Sequence, residues 1–121
     1  APTNRLVNLA TKSLGERGLN CQELSHFDGQ TNDRVKVGTF FRAKGLEFKV
    51  VFLLGLSATE FPTPQAGGQS DAEYSDQKAL QISQLFVAMT RARDGLFVLC
   101  DGEVCSVLSE RLDHFELITA E

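Results

Sequence analysis

Histidine and cysteine are scarce in this 121-residue chain, with two and three copies. His26 and His114 stand alone, so a metal site has no ligand set to draw on. Cys21, Cys100 and Cys105 are odd in number and lack any CxxC spacing, which excludes a zinc-ribbon pattern and predicts reduced, mostly buried thiols. No apolar run approaches a membrane span and no signal-peptide pattern opens the chain, so the expectation is a soluble, cytoplasmic protein with no membrane partner. Positive charge is also short: 12 Lys and Arg against 16 Asp and Glu leave a net charge of −4. Binding driven by counterion release needs a basic face, so the segment does not read as a stand-alone nucleic-acid binder. Any such contact is local and shared with other domains. No internal repeat or low-complexity tract is present.

What is present is a 42% hydrophobic chain, enough for one domain with a real core. It opens on Ala1-Pro2 with no methionine and no preceding strand, and the expectation is a partial domain, residues 1–121, of a longer protein. The most informative stretch is Val35 to Leu54. Apolar runs at Val35 to Phe41 and Val50 to Leu54 flank a polar insert, Arg42-Ala43-Lys44-Gly45-Leu46-Glu47, in a strand, loop, strand layout. The second run is apolar at every position, as in a strand covered on both faces of a parallel sheet. The insert therefore belongs at a sheet rim, where α/β proteins bind ligands. Lys44 and Glu47 can equally be solvated loop charges, with Gly45 only making a turn.

Elsewhere, Leu6, Leu9, Ala10 and Leu14 share one face of a helix over Asn4 to Arg17, with Thr3 or Asn4 as cap and Gly18 as stop. Leu19 to Leu24 reads as an edge strand, and Asp28 to Asp33 as a turn-rich connection. Gly55 to Asp76 forms a long loop, read as mobile. From a cap at Ser75 or Asp76, a stripe of Ala79, Ile82, Leu85, Phe86 and Met89 predicts a helix to Arg93, ended by Gly95. Leu96 to Cys100 then reads as a buried strand, Glu103 to Arg111 as a short helix, and Phe115 to Ile118 as an edge pairing. Alternating helices and strands argue a parallel α/β sheet.

Two blocks raise the insert above the ordinary. Thr39-x-x-x-Ala43-Lys44-Gly45-Leu46-Glu47-Phe48 and Phe86-Val87-Ala88-Met89-Thr90-Arg91-Ala92-Arg93, with Glu60-Phe61-Pro62 between them, resemble motifs V and VI of the UvrD/Rep-type superfamily 1 DNA helicases. The resemblance covers most of Val35 to Cys100, the first thirty residues loosely and the tail not at all. It implies the second RecA-like domain of an ATP-dependent DNA helicase, a parallel sheet flanked by helices. Its partners would be an N-terminal RecA-like domain of the same chain and single-stranded DNA, with ATP and Mg²⁺ as cofactors of the full-length enzyme.

Carried onto this sequence, the resemblance makes Arg91 the finger that contacts the γ-phosphate, a task suited to a planar guanidinium facing spread transition-state charge. Glu47 becomes the acceptor for the ribose hydroxyls. Gly45 allows close backbone approach, and Lys44 lies near the phosphates or the DNA. Thr39 and Arg42 fall at the DNA backbone, which hydroxyls and cations commonly position. Arg93 needs no role beyond complementing the negative end of the helix.

There are departures from the family pattern. Phe41 stands where a histidine is common, Phe86 replaces a tyrosine, and Gln81, Ile82 and Ser83 replace the polar residues that open motif VI. Pro2 falls at the motif IV arginine. No G-x-x-x-x-G-K-[ST] phosphate loop and no acidic Mg²⁺-binding strand end occurs, so the chain alone is expected neither to bind ATP tightly nor to hydrolyse it. Two alternatives stay open: a non-catalytic module docking on a repair or transcription protein, and the helicase part of a helicase-nuclease.

Overall fold

The computed structural model describes residues 1–30, 32–116 and 118. The chain opens with helix α1, Asn4–Glu16, because Thr3 is extended and its Oγ1 accepts from the Leu6 amide. The helix stops where Gly18 adopts a φ of 85°. The Leu19 amide then reaches back to the Leu14 carbonyl and the Gly18 amide to that of Gly15, a Schellman closure. The buried face differs from the expected one: Val7 is the fully buried residue, while Leu9 is exposed. The stripe is rotated because α1 lies against strands β1, Cys21–Glu23, and β2, Val35–Val37.

Strands β1 and β2 pair in parallel, Cys21 opposite Val35 and Glu23 opposite Val37. A second parallel pair joins β3, Phe48–Leu53, to β4, Ala92–Val98. The α/β class with parallel strands is as the sequence predicts, but among the described residues the strands form two two-stranded sheets. The β3 edge of the second sheet is not covered on both faces. Val50 and Phe52 are 42% and 59% exposed, since they alternate with Val51 and Leu53, which face the core. Phe52 lies opposite Phe97 in register, and their rings stack at 5.0 Å.

Helix α2, Asp71–Met89, begins earlier and ends earlier than its apolar stripe suggests. Its cap is Ser70, whose Oγ accepts from the Glu73 amide. At the other end the chain turns at Thr90 and enters β4, so Arg93 and Gly95 are strand residues and Gly95 stops nothing. The strand wins because Phe48 to Leu53 offers β4 a full ladder of partners. Arg93 consequently lies off the helix end whose dipole it was expected to complement.

The core gathers Phe40, Ala43, Leu53, Leu56, Phe61, Leu85, Ala88, Cys105 and Leu108. The connection after β3 contributes to it directly. Leu56, Ser57 and Phe61 are buried, and residues 56–58 are laced to the tail by Cys105 N–H to Leu56 C=O at 2.7 Å and Ala58 N–H to Glu103 C=O at 2.8 Å. Ser57 is a buried hydroxyl satisfied by the Asp101 amide. Of the cysteines, only Cys105 is fully buried, and burial pushes its thiol pKa up; Cys100 is exposed, against the expectation.

After Cys105 come helix α3, Ser106–Ser109, and a 3-10 turn, Leu112–His114, in place of one continuous helix. Phe115 and Glu116 are in no strand, and the rest of the expected edge pairing falls partly on Leu117, outside the described residues.

One feature of the amino-terminal junction gives a measurable consequence. Gly55, at φ 77°, lies beneath Pro2 and Leu6, and a Cβ there would overlap Leu6 Cδ1 and sit 3.1 Å from Pro2 Cδ. Gly55→Ala is expected to lower stability by about 2 to 4 kcal/mol. Gly45→Ala, at a positive φ but with no atom within 4 Å, should cost only about 1 to 2 kcal/mol. Urea denaturation of both variants checks the difference.

The Ala1 nitrogen donates to the Gly38 carbonyl at 3.0 Å, tying the segment ahead of α1 to the stretch after β2.

Candidate functional site

The polar insert folds as a 3-10 turn, Phe40–Ala43, followed by a tight turn at Lys44 and Gly45. With three residues per turn, side chains at i and i+3 eclipse. Phe40 and Ala43 therefore point inward together, at 4% and 8% exposure, and Phe41 and Arg42 are left outside. Phe40 meets Phe61 edge-on, ring centroids 6.1 Å apart at 71°, and the turn packs against α2. The insert is thus bolted to the core at two points and solvated between them. Gly45 makes the reversal at φ 82° and has open space where a side chain would be.

The second block arrives beside the first through the β3 and β4 pairing. Phe48 lies opposite Ala92, and the Phe48 amide donates to the Arg91 carbonyl at 2.8 Å. The register shifts by one residue before Val50 reaches Gly95, placing Arg93 and Asp94 opposite a single residue of β3.

Arg91 is half-buried and held on three sides. Its Nε donates to the Val87 carbonyl at 3.1 Å, one Nη to the Thr90 hydroxyl at 3.0 Å, and the other reaches the Leu46 carbonyl at 3.5 Å. The helix-end role expected of Arg93 thus belongs in part to Arg91, which satisfies a last-turn carbonyl of α2. A guanidinium carries five N–H donors, so two remain unspent.

Glu47 adjoins Leu46 and is exposed, as are Lys44 and Arg42; among the described residues their side chains take part in no hydrogen bond or salt bridge. The structure thus brings Arg91, Gly45, Leu46 and Glu47 to one rim. Thr39 and Arg42 lie at the other side of the turn. They line a cleft of about 420 Å³ with Asn4, Asn8, Glu23 and Phe41. Sequence reasoning passed over two participants. The Leu46 carbonyl, a backbone acceptor, leaves no mark in side-chain patterns. Phe41 reads in sequence as the end of an apolar strand and as a missing histidine, whereas the strand stops at Val37 and the 3-10 turn leaves the Phe41 side chain outside. Among the described residues, no group of three or more His, Cys, Asp and Glu side chains could hold a metal ion.

Comparison with known proteins matches residues 2–101 to the family model of the UvrD-like helicase C-terminal domain. Among curated proteins, the chain is 39% identical over 87 residues to "Probable DNA helicase II homolog" of Mycoplasma capricolum, covering 71% of this chain and 11% of that protein. It is 34% identical over 71 residues to "ATP-dependent DNA helicase PcrA" of Staphylococcus aureus, covering 59% of this chain and 9% of the relative. The chain spans about a tenth of the length of these relatives.

The anchoring of the turn yields a direct test. Phe40→Ala removes a buried ring and its partner contact with Phe61, and should destabilise the chain by about 3 to 5 kcal/mol. Phe41→Ala, one residue along but 60% exposed, should fall within about 0.5 kcal/mol of the parent in the same chemical denaturation series.

Proposed function

Because the chain belongs to the family of UvrD-like helicase C-terminal domains, we propose that it supplies one wall of an ATP site in a DNA helicase, the other wall coming from an N-terminal RecA-like domain of the same polypeptide. The observation that carries this reading is the junction of the two blocks: Arg91 reaches the Leu46 carbonyl, and the next residue in the chain, Glu47, is exposed. Each residue at that rim has unspent capacity of a kind a nucleotide uses. Arg91 retains two N–H donors for phosphoryl oxygens, Glu47 can accept from ribose hydroxyls, and the Gly45 backbone is open to close approach. Lys44 adds a free cation at the same turn.

Those groups fit a triphosphate nucleotide but not its metal. The metal ligands would come from the partner domain, along with the phosphate loop absent from this sequence. The chemistry assigned to this chain is electrostatic. A guanidinium already held by three acceptors needs little reorganisation to meet charge that develops on the transferring phosphoryl group. On the far side of the turn, Thr39 and Arg42 would meet the DNA backbone. Closure of the two domains around ATP would move those contacts, coupling hydrolysis to translocation along single-stranded DNA.

A second reading keeps the fold without the motor, as a docking module. It is favoured by the exposed apolar pair Phe52 and Phe97 and by the net charge of −4. The two readings part on Arg91. In the full-length protein, Arg91→Ala is expected to lower DNA-stimulated ATP turnover by about 10³-fold or more, with ATP binding largely kept. Turnover unchanged in a steady-state phosphate-release assay would reject the motor assignment and leave the docking module.

A further inference from the structure

Helix α2 closes on Thr90, an exposed residue whose hydroxyl turns back along the helix. Its Oγ1 donates to the Val87 carbonyl at 2.8 Å and accepts from an Arg91 Nη at 3.0 Å. The Arg91 Nε donates to the same Val87 carbonyl at 3.1 Å, so one carbonyl, one hydroxyl and one edge of the guanidinium form a closed triangle of hydrogen bonds. The triangle fixes the polarity of the hydroxyl. Its proton is committed to Val87, so the oxygen meets the guanidinium as an acceptor only.

Capping of the helix does not account for this arrangement. The Val87 carbonyl belongs to the last turn of α2, and the Arg91 Nε already satisfies it. Nor does packing, since Thr90 is exposed and lies outside the core. What the hydroxyl adds is orientation. A single bond through Nε leaves the guanidinium free to pivot about it, whereas a second bond from the same edge of the planar fork sets its plane. The Leu46 contact, at 3.5 Å, is the weaker of the two Nη contacts. Resting on the reading of Arg91 as the residue that meets the transferring phosphoryl group, we propose that Thr90 is the positioning residue of that guanidinium, its hydroxyl setting the plane of the fork before ATP arrives and without touching nucleotide. Donors remain on the Nη atoms for a phosphoryl oxygen. A side chain ordered in advance need not reorganise as charge develops, so losing that order is felt in the chemical step.

The test is made in the full-length protein by steady-state phosphate release in the presence of single-stranded DNA. Thr90→Val keeps the β-branched shape and removes the hydroxyl. It is expected to lower kcat by about 10-fold while the KM for ATP stays within about 2-fold, the split of an interaction that acts in the transition state. Thr90→Ser keeps the hydroxyl and should restore kcat close to the parent value. In an Arg91→Ala background, Thr90→Val should have no further effect, because the hydroxyl acts only through the guanidinium. The proposal is overturned if the loss in Thr90→Val appears in KM rather than kcat, if Thr90→Ser is as slow as Thr90→Val, or if Thr90→Val slows the Arg91→Ala protein further. Should Arg91→Ala itself leave turnover unchanged, the γ-phosphate assignment fails and the positioning role with it; should Arg91→Ala be slow and Thr90→Val match the parent, only the positioning role fails.

Discussion

The geometry of the rim depends on one juncture, where the backbone and the side chain of Arg91 both engage the strand entry at Leu46 to Phe48. Its carbonyl receives the Phe48 amide and its guanidinium reaches the Leu46 carbonyl. The first bond belongs to the parallel ladder and fixes register; the second spans the ends of two elements 45 residues apart in sequence. Parallel strands need a long crossover, and here α2 supplies it. The helix returns the chain to the start of β3, and the ladder there fixes which residue arrives opposite Phe48, and so which side chain stands at the rim. A shift of register at that point would send Arg91 elsewhere while leaving the core composition unchanged.

The turn ahead of this juncture solves a different problem, holding exposed functional groups still. Loops carry function when a rigid scaffold positions them. Here the scaffold enters the loop itself, since Phe40 and Ala43 belong to the core while Phe41 and Arg42 between them face water. The Glu60-Phe61-Pro62 segment is part of the same device: Phe61, nearly without solvent contact, is the ring against which Phe40 rests. The three short motifs that stand apart in sequence are thus joined by aromatic contact and by backbone hydrogen bonds.

Much of this was legible beforehand. The α/β class, the first helix with its cap at Thr3 or Asn4 and its end at Gly18, and the strand, loop, strand layout follow from periodicity and local stop signals. The errors share a cause. Met89 to Arg93 contains nothing that breaks a helix, so its end is set by the ladder β3 offers, a tertiary term outweighing propensity. Ser70 followed by Glu73 is a capping-box pattern that could have placed the start of α2, and the apolar stripe beginning at Ala79 drew attention away from it. The apolar run of β3 predicted two covered faces because composition cannot say how many layers lie against a strand. For Arg93, spacing on an assumed helix suggested a role that vanished with the helix.

The stacked Phe52 and Phe97 carry a practical implication. Among the described residues, β3 has a paired neighbour on one side only, and on the face of the sheet the rings of Phe52 and of Phe97 from β4 stand half in water. An unprotected parallel edge with adhesive aromatics is a template for joining further chains. Handled in isolation, this polypeptide presents an edge and an apolar surface of the kind that favours self-association.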